Sequence, residues 1–213
     1  MCAFFWYIQF DIDRNPAPFS WISILVNIAL CILFALQHSI LPRPKIREWI
    51  RRNFPATMER SLYVGTSGIA MWILLLGWRR IGPVLFESKI AWPFEIVFYI
   101  SLLLIILSTV ALDHSSMFGL KQGFRAWKGE VLPPDRLQIK GIYAIVRHPL
   151  TSLLIVCLWS HATMTVGRLS FNVLFTVYAI AGTVFEEKDL TRKFGSEYEA
   201  YRTQVPAFVP FLK

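Results

Sequence analysis

The run FSWISILVNIALCILFALQHSIL, residues 19–41, decides the fold class. It contains no Asp, Glu, Lys or Arg over about 23 positions, enough for roughly 34 Å of helix, and a bilayer's hydrocarbon core needs about 20 such residues. A helix also satisfies every backbone hydrogen bond within its own segment, as lipid requires. The last turn becomes polar at Gln37, His38 and Ser39, which fits a hydrated helix end and equally fits one wall of a polar site.

The rest of the chain has the same character. Of 213 residues, 55% are hydrophobic, 15% aromatic and only 17% charged, a balance that excludes an ordinary soluble domain. The formal net charge of +8 points to loops beside anionic headgroups before it points to nucleic acid, so no nucleic-acid partner is expected. Cys2, Cys31 and Cys157 share no paired spacing, which argues against a disulfide framework and against a thiolate metal site.

Upstream of the first span, MCAFFWYIQF is too short to cross a bilayer and lacks the basic flank and cleavage site of a signal peptide. Residues 1–18 therefore read as an interfacial segment or as the remnant of an earlier span. Downstream, residues 42–60 carry six basic side chains, and Ile46, Trp49, Ile50 and Phe54 fit a short amphipathic helix on the membrane surface. A second span is predicted over 61–78, where Gly65, Ser67 and Gly68 offer a small face for close helix packing. A third covers about 90–112 and ends at Asp113 and His114, followed by a long polar stretch of the kind that often carries function.

Residues 150–166 and 169–185 are two apolar runs parted by Gly167 and Arg168, which predicts a tight helical hairpin. After Glu186 and Glu187 an amphipathic helix is expected to about Tyr201, then an extended tail whose Phe208 and Phe211 return to the membrane. The expected fold is thus all-α, a polytopic membrane protein with about five transmembrane helices and an amphipathic C-terminal helix. Loops 42–60 and 113–149 together with the tail from 186 hold 17 of the 22 Lys and Arg residues. The positive-inside rule places those segments and the C-terminus in the cytosol. Asp113/His114, Arg147/His148 and Glu186/Glu187 then fall at one cytosolic face, at the ends of three different spans.

No HExxH, GxSxG, Walker or glycine-rich dinucleotide pattern occurs. Arg, His and two carboxylates suit a zwitterionic small molecule, with Arg147 on a carboxylate and a Glu on hydroxyls or an ammonium. The same residues also fit charges snorkelling at a membrane interface.

The segment RHP (147–149) opening a short hairpin, then EE (186–187), Leu190, Phe194-Gly195, Tyr198, Tyr201 and Val205-Pro206, resembles the C-terminal half of the isoprenylcysteine carboxyl methyltransferase superfamily. ALQHSILPRP (35–44), ERSLYV (59–64), WRRIGPVLF (78–86), DHSSMFGLKQ (113–122) and MTVGRLSF (164–171) are similar to its nurim and methanethiol S-methyltransferase branch. The resemblance implies a single integral membrane domain over 1–213, with three spans in 19–112 and the cofactor-binding half in 113–213. It implies S-adenosylmethionine held at the cytosolic face by Arg147, His148, Glu186 and Glu187, with Tyr198 and Tyr201 in a covering helix. The methyl acceptor would be a small or lipid-associated thiol, with Gln37 and His38 as candidate substrate residues. A thiol must lose its proton, and His114 is a candidate base, with Asp113 and His38 as alternatives. Where the superfamily carries an aromatic residue and a glycine after RHP, this chain has Thr151 and Leu153. Leu153 would fill space that the glycine leaves for the cofactor. The alternatives are a noncatalytic nurim-like protein, or methylation of a prenylcysteine carboxylate or a lipid amine.

Overall fold

The computed structural model describes residues 2–12, 14–54, 58–111, 124, 128 and 137–212. The chain is mostly helical: α1 (Cys2–Phe10), α2 (Trp21–Ile40), α3 (Pro44–Asn53), α4 (Met58–Gly77), α5 (Trp92–Ala111), α6 (Pro149–Trp159), α7 (Val166–Phe194) and α8 (Ser196–Gln204), with a 3-10 turn at Gly141–Ala144. Two strands, β1 (Val84–Glu87) and β2 (Thr163–Thr165), pair antiparallel with Val84 opposite Thr165 and Glu87 opposite Thr163. The expected helical class holds, with this small sheet as an addition to it. Strands of four and three residues are too short to display an alternating pattern.

Three segments are long and apolar enough to cross a membrane, Trp21–Ile40, Trp92–Thr109 and Val166–Phe194, with shorter apolar helices at Ser61–Gly77 and Pro149–Trp159. Their outer faces carry Ile22, Leu25, Leu76 and Val177, all largely exposed, as lipid-facing side chains are. The fourth expected span, 150–166, is therefore corrected to a helix of 11 residues, about 16 Å, half the hydrocarbon thickness. The hairpin turn is also displaced, from Gly167/Arg168 to 160–165. Thr165 caps α7 by accepting a hydrogen bond from the Arg168 amide at 3.0 Å, so Gly167 and Arg168 lie in the first helical turn. Gly167 serves packing: its amide donates to Ile81 O at 2.9 Å, and a Cβ there would stand 3.0 Å from Ile81 N.

Glu186 and Glu187 lie inside the 29-residue α7, which continues past them to Gly195, where φ of 54° ends it and α8 begins. The amphipathic helix expected from 186 to 201 is thus two pieces, because the break comes where glycine adopts the left-handed region. Gly65 and Gly68 meet nothing within 4 Å of an added Cβ, and α4 instead meets α2 through Thr66 and Ser67.

Helix α1 packs within the bundle. Phe5, Tyr7 and Ile8 are buried with Leu74, Leu75, Trp78, Phe171 and Phe175 in one apolar cluster. Helices α2 and α4 run antiparallel and are pinned at both ends. Asn27 donates to Arg79 O and accepts from Arg79 N, each at 2.8 Å, while Gln37 donates to Thr66 and Ser67 at the far end. Helix α5 packs along α6, and α7 crosses both α2 and α6. This brings the end of α2, the start of α4, the start of α6 and the last third of α7 to one end of the molecule.

Candidate functional site

Arg147 and His148 owe their position to Pro149. Proline is tolerated in the first helical turn and disfavours helix in the residue before it, so His148 becomes the cap of α6 at φ −121° and ψ 60°. The extended tail pairs with this corner: Arg147 N donates to Pro206 O at 2.9 Å, His148 N to Ala207 O at 3.0 Å, and Ser152 Oγ to Phe208 O at 2.8 Å.

The side chains converge on α7. Arg147 donates from Nε and Nη2 to one oxygen of Glu187, at 2.9 and 2.7 Å, and from Nη1 to the carbonyls of Arg202 and Val205. His148 Nε2 lies 3.1 Å from the same Glu187 oxygen, and its Nδ1 lies 3.5 Å from Glu186. The two acids differ in what is left over. The Glu187 side chain is 19% exposed and engaged, whereas that of Glu186 is 60% exposed and open to a ligand.

Tyr198 and Tyr201 are buried beneath this corner, and Tyr201 donates to Tyr143 O at 2.5 Å. Burial, and then the charge of Glu187, push the Tyr198 hydroxyl up to about 12, so it stays protonated at neutral pH. Burial raises Tyr201 and Tyr143 too, the latter with help from Glu186.

Beside the cluster, a cavity of about 590 Å³ opens between α2, α4, α6 and α7. His38, Tyr63, Thr151, Tyr178 and Gly182 line it, Glu186 joins it to the charged cluster, and Arg43, Asp189 and Lys193 stand around it. The His38 ring stacks on Phe34, with centroids 5.3 Å apart, and its nitrogens meet Tyr63 OH at 2.9 Å and Ser67 Oγ at 3.3 Å. Ser39 meets the Tyr178 hydroxyl at 3.2 Å, and the Arg43 guanidinium sits 5.1 Å over the Phe185 ring, so the end of α2 is tied to α7 twice.

The structure thus gathers Arg147, His148, Glu186 and Glu187, and puts His38 and Glu186 in one cavity. Gln37 spends its amide on α4. Arg147 lines a second cavity of about 410 Å³ beneath the tail, with Arg202 and residues 205–209. Asp113 and His114 lie outside the described residues. Leu153 does not fill the site; it packs against the apolar cluster, and Thr151 faces the cavity. Tyr63 and Tyr178 escape a reading of the sequence, although a hydroxyl inside an apolar run is a signal, since it requires a partner there. Among the described residues no cluster of three metal-ligating side chains occurs.

Over 192 residues the chain is 36% identical to Methanethiol S-methyltransferase 2 of Bradyrhizobium diazoefficiens, covering 89% of this chain and 74% of that one. It is 32% identical over 206 residues to Methanethiol S-methyltransferase of Pseudomonas deceptionensis, covering 95% and 78%. It is 29% identical over 191 residues to human Nurim, covering 84% and 70%. No solved structure matches it. The NnrU protein family matches residues 26–208, a stretch that includes His38, Tyr63, the RHP corner and both glutamates, and the chain belongs to that family.

Proposed function

We propose that this chain is a membrane-embedded methyltransferase that uses S-adenosylmethionine and methylates a small thiol in the cavity between α2, α4, α6 and α7. The observation that carries the reading is Glu186, a carboxylate shared by that cavity and by the Arg147–His148–Glu187 cluster. The donor set suits the cofactor. About 590 Å³ lies within the range of small-molecule sites, Glu186 and Asp189 offer acceptors for an ammonium or ribose hydroxyls, and Arg43 and Lys193 offer donors for a carboxylate. The faces of Tyr63 and Tyr178 suit a sulfonium cation.

When bound, the cofactor supplies an electrophilic methyl group. The chain's own task is alignment and exclusion of water. Glu187 holds Arg147 and His148, which hold the tail; Glu186 orients the ligand; His38, Tyr63 and Tyr178 form the floor on which the acceptor sits. The basic loops support a cytosolic site and C-terminus. Methanethiol, named for the relatives, is the proposed acceptor type, and the placement of Leu153 in the core supports a competent pocket over a noncatalytic one.

The test is transfer of labelled methyl from S-adenosylmethionine to a panel of thiols, prenylcysteines and lipid amines, by purified protein in lipid. Transfer to short thiols is expected. Absence of both cofactor binding and transfer would sink the reading.

A further inference from the structure

The floor of the cavity is built differently from its charged surround. His38 lies level with Tyr178, their ring centroids 6.4 Å apart, and Asp189 lies about three helical turns further along α7. A polar, hydrogen-bonded histidine at this depth carries a desolvation cost that structure alone does not require, since Gln37 already ties α2 to α4.

We propose that His38 is the proton acceptor for the thiol, receiving the proton through the hydroxyl of Tyr63. This rests on the methyltransferase reading above. A thiol attacks as thiolate, and His38 is the cavity residue whose ordinary titration falls nearest neutrality. Its orientation is fixed on three sides: Phe34 stacks on the ring at 19°, Ser67 Oγ is 3.3 Å from Nδ1, and Tyr63 OH is 2.9 Å from Nε2. Tyr63 OH also lies 3.2 Å from Nδ1, and its shorter contact is with Nε2, so the step uses the tautomer in which Nδ1–H faces Ser67 and Nε2 accepts from Tyr63. Tyr63 itself lines the cavity, and the proposed route brings the acceptor's S–H to its hydroxyl. The other titratable or charged groups on the same cavity are Tyr178, Glu186, Asp189 and Lys193 of α7 and Arg43 after α2.

The step balances. The thiol proton passes to the Tyr63 oxygen as the Tyr63 proton passes to Nε2. The sulfur lone pair forms the new S–CH3 bond while the methyl–sulfonium bond breaks, its electron pair remaining on the donor sulfur. The products are a methyl thioether, an uncharged donor remnant and His38 imidazolium, which returns its proton to solvent.

The experiment compares two acceptors, ethanethiol and thiophenol, the second already largely ionised at neutral pH, in the full chain and in His38→Asn, Tyr63→Phe and His114→Asn, with S-adenosylmethionine affinity measured for each. With ethanethiol, His38→Asn and Tyr63→Phe should lower kcat by on the order of 10²-fold or more, recovering as pH is raised. With thiophenol both should stay within about tenfold of the parent, and their cofactor affinity should be unchanged. If His38→Asn fails to bind cofactor, Tyr63→Phe carries the comparison. Equal losses with both thiols, no loss with either, or a selective ethanethiol loss in His114→Asn alone would overturn the assignment. No cofactor binding by the parent chain would overturn the methyltransferase reading along with it.

Discussion

Two adjacent glutamates on α7 do different work. Glu187 accepts from Arg147 and His148 in a half-buried setting, and through Arg147 it fixes the carbonyls of Arg202 and Val205. Glu187→Ala deprives the Arg147 guanidinium of its carboxylate and His148 Nε2 of its partner and should cost on the order of 3 kcal/mol, seen as a lowered midpoint of thermal unfolding in lipid. Glu186→Gln should leave that midpoint unchanged and weaken S-adenosylmethionine binding at least tenfold by titration. Equal effects at both positions would show that the pair acts as one anchor. Just past the end of α6, His161 is buried against Phe98, and burial, then the charge of Arg168, push its imidazole down to about 3 from 6.5. Its folded value lies below its unfolded one, so the unfolded chain takes up the proton first. Its contribution to stability is present above pH 6.5 and is lost as pH falls from there toward about 3. Unfolding midpoints measured from pH 8 to 5 should fall for the parent chain and stay flatter for His161→Gln.

At the scale of elements, the half-length α6 depends on the strand pair that receives it. After Trp159 the chain leaves the helix, β2 pairs with β1, and α7 starts directly against Ile81. Gly167 is the contact point, with backbone atoms of Ile81 at 3.0 and 3.3 Å from an added Cβ. Gly167→Ala should destabilise by about 1–3 kcal/mol, since backbone must move, whereas Gly68→Ala in the open should be neutral or slightly stabilising. Thermal unfolding of both variants checks the contrast. The helices themselves were legible from hydrophobic length, as 19–41 was for α2. The displaced turn was not, because Gly167 next to Arg168 looks like a turn in one dimension and is a packing glycine in three.

For the whole molecule, the charge distribution predicts which end faces the cytosol. In a chain carrying Cys2→Ser, cysteines introduced singly at Glu197 and Lys89 should react with a membrane-impermeant maleimide from opposite sides, Glu197→Cys from the cytosolic side only; the native Cys31 and Cys157 are half-buried and buried. Labelling of both from one side would overturn the orientation. The candidate site was partly legible: Arg147, His148, Glu186 and Glu187 stand at helix ends beside proline or after an apolar run, where a charge in lipid demands explanation. Tyr63 and Tyr178 were not, because their relevance depends on which helix lies opposite.

By itself the sequence determined a mostly helical membrane protein, since hydrophobic length is a local property of a chain meeting a bilayer. The tertiary structure alone decided that Leu153 faces the core, that Glu187 anchors while Glu186 stays open, and that His38 meets Tyr63 at a cavity floor. Those facts rest on contacts between residues such as 147 and 187 or 39 and 178, far apart in the chain. Such pairs leave no local signature, because their free energy arises only when the helices are packed together.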